Sequence, residues 1–547
     1  MGIAQYARVF LPAVICGTLA WSLCVSRASA APPDVTSLFP AGGSLSETSE
    51  VTVTGTFTNW PIEFWCSNPQ LKIDCGSSKG KLVFHIPAEA PCGIAWLRLI
   101  DEEGASMPRP FIVAAQPTVR EKEPNDSPKQ AQRVALPAVV YGKFDKNGDS
   151  DAYRIELAAG QTLVAAMQSF EILGAPADGA LQICNEAGQV LAMNQDASGL
   201  DPLLVFRAEA AGTYLVRTFA FPAVPNSSVN FAGGELFLYR LTLTAGPYAD
   251  YALPLGVSRA TATRVQLRGW NLSEENVAVS NPTGAHSEPW LWTPPQAAGL
   301  IPLVAVDAPL LIATAEATTV KGQAIGAPCC VSGVVAQRNE VHRFTFTSTK
   351  GAKLAIAAES AALNFELDPL LKLVDPDGKV IAEADDAAKN PDPTLMATIP
   401  ANGQYTLELR DTFHGGGPRH VYRLTIQPQQ PRVTMTLAAG NYVIEPGKTA
   451  EVAVTINRQG MNDDFSATAV DLPPGVTVTE AKSQAKGDTA KQIKLTFTAS
   501  DDARSGPLKI VAVDASGNEV ASASYTQTLG GSTFQHFQPW LAVKKAK

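Results

Sequence analysis

Catalytic signatures are missing from this chain. It has no His-Glu-x-x-His, no Gly-x-Ser-x-Gly and no Gly-x-x-x-x-Gly-Lys, and only six histidines (His85, His286, His342, His414, His420 and His536) in 547 residues. Zinc peptidases, serine hydrolases and nucleotide-driven enzymes lose their usual marks with these motifs. Cys-x-x-Cys and Cys-x-x-Cys-His are absent as well, so thioredoxin chemistry and haem attachment lose their usual signatures. Charge is sparse, 17% of residues, and its balance is −9, so a nucleic-acid partner is not expected. No apolar run after residue 25 is long enough to cross a membrane, and no stretch carries a long helical period.

What the chain does have is 45% hydrophobic residues with 42 Gly and 40 Pro, the composition of many short strands joined by turns. Its length calls for several domains, each with its own core. Residues 1–30 read as a secretory signal peptide: Arg8, an apolar run from Val9 to Val25, then Ala28-Ser-Ala30 as a small-residue cleavage site. A retained anchor helix is the alternative. Cleavage removes Arg8 and Arg27 and no acid, which takes the charge to −11. The chain is therefore expected to be secreted, periplasmic or on the cell surface, with no membrane span once the signal is removed.

One stretch is written twice, from Gly142 to Thr242 and from Gly333 to Thr425. Asp178 precedes Gly188 by the same ten steps that separate Asp368 from Gly378, and Asp201 precedes Gly212 by the same eleven steps that separate Asp392 from Gly403. Both copies close on Tyr-Arg-Leu-Thr. A unit of about a hundred residues is a duplicated domain, since solenoid repeats are much shorter. Segments such as Tyr153-Arg-Ile-Glu-Leu157 and Tyr405-Thr-Leu-Glu-Leu409 alternate in polarity, the period of half-buried strands. Glycines punctuate them where the chain must reverse. By this reading His342 takes the place of Tyr153 on a strand, and the loop His414 to His420 is a hairpin rather than an oxyanion loop.

With Glu121-Lys-Glu-Pro-Asn-Asp126, Gly148-Asp-Ser-Asp-Ala-Tyr153, the Asp-to-Gly strand pairs and Gly-x-Tyr, the repeat resembles the bacterial pre-peptidase C-terminal domain family. The resemblance implies jelly-roll-like β-sandwiches without an active site of their own. Some members, such as the collagen-binding domains of clostridial collagenases, bind calcium and a protein matrix.

Around these units the phrase Leu38-Phe-Pro-Ala-Gly-Gly43, leading into Glu50-Val-Thr-Val-Thr-Gly55, returns as Leu253-Pro-Leu-Gly256 leading into Arg264-Val-Gln-Leu-Arg-Gly269, with fifteen steps from Pro40 to Gly55 and from Pro254 to Gly269. These domains resemble immunoglobulin-like domains of the transcription-factor and plexin type. A further immunoglobulin-like sandwich, with Leu472-Pro-Pro-Gly-Val476, follows the Pro/Gln linker after residue 426. The expected order is signal peptide 1–30, immunoglobulin-like 31–116, first repeat 117–247, immunoglobulin-like 248–327, second repeat 328–428, immunoglobulin-like 429–529 and a solvated tail 530–547. The fold class is all-β, a multidomain array of immunoglobulin-like and jelly-roll-like β-sandwiches. Trp290 and Trp292, in Pro289-Trp-Leu-Trp-Thr293, are either a ligand platform or core residues of a strand.

Glu121, Glu123, Asn125 and Asp126 offer hard oxygens within six residues, and Asp149 and Asp151 follow across the first strand. Calcium takes six to eight oxygens, and clustered carboxylates without a cation repel one another. Family resemblance points to the same ligands, matching residue by residue at Glu121, Glu123, Asn125 and Asp126. A weaker alternative sets Asp145, Asn147, Asp149, Asp151 and Glu156 on a calcium-loop template. In the second copy the acidic lead-in is matched to Ala327-Pro-Cys-Cys330 and the acidic turn to Gln337-Arg-Asn-Glu340, so calcium is not expected there. Asp375, Asp377, Asp385 and Asp386 are expected to be turn carboxylates. Six cysteines follow the leader: Cys66, Cys75, Cys92, Cys184, Cys329 and Cys330. Cys66 and Cys75 are the expected disulfide, with Cys92 as competitor, while Cys329 and Cys330 are either a vicinal disulfide or separate thiols.

The sequence thus leads to a secreted, non-catalytic binding and scaffolding protein, calcium-stabilised at its first interdomain joint. Its partner would be an extracellular protein, a polysaccharide or a secreted enzyme. The alternatives are an accessory subunit targeting a separate secreted hydrolase and, more weakly, a cryptic hydrolase.

Overall fold

The computed structural model describes residues 31–225, 230–273, 276–280, 289–386 and 390–544. The signal-peptide reading, His286 and the last three residues fall outside them. The array of β-sandwiches expected from the sequence is observed. Among the described residues no helix is long and apolar enough to cross a membrane.

The two copies share one topology. In the first, β1 (Thr118–Arg120), β3 (Ala138–Lys143), β10 (Leu238–Thr244), β5 (Thr162–Gln168) and β8 (Leu203–Arg207) lie side by side in that order. The facing sheet runs β2 (Gln132–Arg133), β4 (Asp151–Leu157), β9 (Gly212–Pro222), β6 (Ala177–Asn185) and β7 (Val190–Asn194). The second copy repeats both orders with β11 (Leu310–Ile312), β13 (Cys329–Val334), β20 (Val421–Pro428), β15 (Lys353–Glu359) and β18 (Thr394–Thr398) in one sheet. Its other sheet has β12 (Gln323–Ala324), β14 (His342–Ser348), β19 (Gly403–Asp411), β16 (Pro369–Val374) and β17 (Val380–Ala384). Alternation explains the inner faces: Tyr153, Ile155 and Leu157 on β4, and Phe344 and Phe346 on β14, enter their cores while the residues between them point out.

The repeated motifs are supports for this frame. Asp201 accepts the backbone N–H groups of Ser169, Phe170 and Glu171 at 2.9–3.2 Å, and Asp392 accepts those of Ser360, Ala361 and Ala362 at 2.8–3.0 Å. Each aspartate caps the donors that open a short helical turn, which is why it recurs. Tyr239 and Tyr422 lie across Gly142 and Gly333, where an added Cβ would come within 2.2 Å and 2.4 Å of the ring or hydroxyl. Only glycine leaves room for the ring.

Register corrects the sequence alignment of the copies. Asp151 pairs with Thr218 and Leu157 with Gly212, while His342 pairs with Leu409 and Ser348 with Gly403. His342 therefore stands where Asp151 stands, and Phe344 replaces Tyr153. The counterpart of Glu121 is Ala313 rather than a residue of Ala327–Cys330, since the Glu121 and Ala313 amides bond the equivalent carbonyls of Tyr141 and Ser332.

Buried Arg240 and Arg423 differ in one partner. Arg240 Nη1 donates to Gln168 Oε1 at 2.6 Å, whereas Arg423 pairs with Glu359 at the equivalent position. Gln168→Glu is expected to raise stability by about 1 kcal/mol, the charge-assisted bond being offset in part by desolvation of the new carboxylate. The urea midpoint checks it, and an unchanged or lower midpoint would mean that desolvation wins.

Two expectations are corrected and one open alternative is decided. Residues 530–544 are not a solvated tail: Ser532–His536 pairs with Glu519–Leu529, and Trp540–Val543 runs between Asn441–Ile444 and Gly506–Pro507 with Trp540 and Leu541 buried. Apolar residues in this segment complete the last sandwich, which outweighs its terminal position. The Cys66–Cys75 disulfide is not formed; both thiols are free, one at the end of Glu63–Cys66, the other at the end of Lys72–Cys75 in the facing sheet. Cys75 Sγ donates to Ile62 O at 3.2 Å. Cys329 and Cys330 are separate thiols as well, because neighbours on β13 point to opposite faces, Cys329 into the core of the second unit and Cys330 into its joint with the preceding sandwich.

Candidate metal centre

Two chain crossings meet at one end of the first unit. Residues 121–131 carry the chain from β1 in one sheet to β2 in the other, and residues 144–150 carry it from β3 to β4. Strands β1 and β2 pair in parallel with β3 and β4, so both crossings leave the sandwich at the same end. Glu123 and Asp126 lie on the first crossing, Asp149 on the second, and Asp151 opens β4.

These four carboxylates converge, with one oxygen from each within 4.8 Å of the others. Asp149 and Asp151 are buried at 2% and 0% exposure, while Glu123 and Asp126 form the exposed rim. Asp151 Oδ2 accepts the Tyr239 hydroxyl at 2.6 Å, and its other oxygen is buried without a hydrogen-bond partner. Asn125 is fully buried, and its Oδ1 has no hydrogen-bond partner among the described residues either. Burial, then the charge of Glu121, pushes the Glu123 carboxyl up to about 7. Burial also raises Asp149, against the lowering by the Asp145 N–H, and raises Asp151, where Glu121 is the next cause. Without a cation, burial and mutual repulsion thus hold protons on these carboxyls, and no lysine or arginine ion pair relieves them among the described residues.

Glu121 is corrected from ligand to support. Its Oε1 accepts Asn125 Nδ2 at 3.0 Å, Tyr239 at 2.9 Å and Tyr153 at 3.2 Å, and its Oε2 accepts the Lys143 N–H at 2.7 Å. With both oxygens committed, it orients Asn125 and the two tyrosines behind the acids. Tyr153 and Tyr239 carried no site role in the sequence reading; the repeated Tyr-Arg-Leu-Thr was the available signal. The loop-template alternative fails on distance: Asn147 Oδ1 accepts the Gly233 N–H at 3.1 Å, and Glu156 bonds Thr213 at 3.0 Å. Glu156 also lies five residues along β4 from Asp151, on the other face and roughly 17 Å away at strand rise.

In the second copy the arrangement is self-contained. His342 Nδ1 lies 2.6 Å from the Tyr422 hydroxyl and Nε2 2.9 Å from Glu340 Oε1. An imidazole and one carboxylate replace Asp151 and Asp149, and Ala313 replaces Glu121. Asp375 caps its own turn, accepting the N–H groups of Asp377 and Lys379 at 3.0 and 2.8 Å, and Asp385 accepts that of Asp386 at 2.8 Å.

Of the two alternatives for the tryptophans, the structure places them against a core. Trp290 and Trp292 sit on one strand with both rings partly buried against the core of Val257, Val265, Leu267 and Ile301. Same-face residues of a strand share one environment, here the half-buried edge of that core.

The first unit therefore fits a hard cation: four carboxylates and an amide oxygen, all oxygen donors, with Asp151 Oδ1 and Asn125 Oδ1 buried and lacking a hydrogen-bond partner among the described residues. Glu123, Asp126, Asp149 and Asp151 would hold it.

No family model matches the chain. Over 101 residues the sequence is 31% identical to a probable subtilase-type serine protease of Deinococcus radiodurans, spanning 17% of this chain and 13% of that protein's length. Among solved structures, the pre-peptidase C-terminal domain of a Bacillus anthracis collagenase is 16% identical and is covered completely by 23% of this chain, with a TM-score of 0.17. The N-terminal four immunoglobulin domains of Dscam1 isoform 8.4 are 12% identical over 95% of this chain and 98% of theirs, at 0.20. Fibronectin(III)-like modules of Clostridium thermocellum CbhA are 12% identical over 41% of this chain and 90% of theirs, at 0.14.

Proposed function

We propose that the protein is an exported, non-catalytic scaffold with pre-peptidase C-terminal-like repeats, whose first repeat binds calcium through Glu123, Asp126, Asp149 and Asp151. The observation that carries this reading is the fully buried Asp151, with one unpartnered oxygen among three further carboxylates. The second copy, with His342 in that place, supplies the contrast. Bound there, the ion would neutralise the acids and fasten the 121–131 crossing to the turn before β4. It acts beyond the joint with the first sandwich, which Ala41, Ala114, Val139 and Tyr141 already close as an apolar contact. An ion bound only by the folded form stabilises it by about 2.7 kcal/mol at a hundred times its dissociation constant.

Calorimetric titration of the full chain with calcium is expected to show one saturable site, abolished by Asp149→Ala/Asp151→Ala and retained in Asp375→Ala/Asp377→Ala. Absence of heat in the wild-type protein at millimolar calcium would sink the proposal. A second reading, an accessory subunit that carries a separate secreted hydrolase to its substrate, draws on the partial likeness to a subtilase-type protease. Copurification with a peptidase activity that the purified chain lacks tests it.

A further inference from the structure

The first and last sandwiches meet through a buried cation. Arg98, 2% exposed on the strand Gly93–Asp101, donates Nη1 to Ser106 O at 3.0 Å and to Asn441 Oδ1 at 3.1 Å. Its Nη2 donates to Gln538 O at 3.3 Å and to the Tyr525 hydroxyl. Asn441 Nδ2 returns a bond to Ala105 O at 2.8 Å, and Lys544 pairs with Glu103. Ile100 and Ala105 of the first sandwich share an apolar cluster with Trp540 and Ala542 of the last. These contacts span more than three hundred residues of sequence, from Arg98 to Asn441 and Gln538, so the array closes on itself.

One titratable side chain in this interface has no compensating charge. The His536 ring meets Trp96 of the first sandwich edge-on at 4.8 Å and lies 5.2 Å from Tyr525 on its own side. Its Nε2 is 3.0 Å from Gln527 Oε1. The titratable and charged groups that face it are Tyr525 from the neighbouring strand and Arg98 from the opposite sandwich, the latter already a cation; no carboxylate faces it among the described residues. A proton on His536 would put a second positive charge into a half-dry interface beside the first.

We propose that this interface is an acid-released clasp: protonation of His536 beside Arg98 parts the first and last sandwiches while each remains folded. Burial, then Arg98, holds the clasped imidazole down to about 4, whereas a freed one takes its proton near 6.5. The closed form binds fewer protons, so closure is complete above about 6.5 and weakens as pH falls towards 4, by up to about three-hundred-fold in the closure constant.

Small-angle scattering and far-ultraviolet circular dichroism of the full chain between pH 7.5 and 4.5 test this. The wild-type maximum dimension is expected to grow while the strand signal holds, and His536→Gln is expected to stay compact over the same range. A wild-type dimension that does not change overturns the proposal. So does His536→Gln opening at the same pH, which would assign the acid response to Glu103 or other carboxylates, and so does loss of strand signal together with expansion. If His536→Gln does not fold, the His536 ring resonance of the labelled wild-type protein decides: a midpoint well below the free value supports the clasp, and one near 6.5 overturns it.

Discussion

Arg419→Ala is expected to lower stability by about 3–5 kcal/mol, because it strands a buried carboxylate. Arg419 lies on the loop between β19 and β20, and its Nη1 pairs with Asp250, the two side chains only 10% and 8% exposed. The same guanidinium donates Nε to Ala197 O and Nη2 to Asn364 O, both at 3.1 Å, and stacks over Phe365 at 5.5 Å. One side chain thus ties the first repeat, the second small sandwich and the second repeat together. Burial raises the Asp250 carboxyl even though Arg419 lowers it, so the pair only partly recovers its desolvation. The double variant Asp250→Leu/Arg419→Met is therefore expected to fall within about 2 kcal/mol of wild type. Denaturant unfolding of the three proteins checks both statements. A double variant as unstable as Arg419→Ala would mean that the lost bonds to Ala197 and Asn364, and not the orphaned charge, dominate.

Writing the second copy's solution into the first is the other large effect. Asp149→Glu/Asp151→His recreates the Glu340–His342 pair beside a tyrosine hydroxyl, with Tyr239 in the place of Tyr422. In the ion-free protein this replaces two repelling carboxylates with a partnered pair, so stability without calcium is expected to rise. The calcium-dependent gain, about 2.7 kcal/mol at a hundred times the dissociation constant, is expected to vanish. Melting temperatures of wild type and variant with calcium and with chelator measure both. A variant that retains the full calcium response would remove Asp149 and Asp151 from the site.

Several sequence expectations stand because their signals are local. Period-two alternation in Tyr153–Leu157 and Tyr405–Leu409 needs only the strand itself to be correct, and the Asp201 and Asp392 registers report a cap that recurs wherever the same turn does. Four of the acidic residues flagged from the sequence do converge, since the two crossings are fixed by strand order.

Composition, periodicity and duplication determined from the sequence alone that this is an all-β array with two copies of one unit and an acidic cluster in the first. Tertiary structure alone decided the roles within it. Glu121 became a support because Tyr239, 118 residues away, reaches it. Register moved His342 from the place of Tyr153 to that of Asp151, a two-residue shift that preserves the alternation and so leaves no local trace. Trp290 and Trp292 turned inward, Cys66 and Cys75 ended on facing sheets, and residues 530–544 completed a sandwich that docks on the first one. Each of these depends on which surface lies opposite, and a strand's own sequence encodes which of its faces is apolar but not what that face will meet.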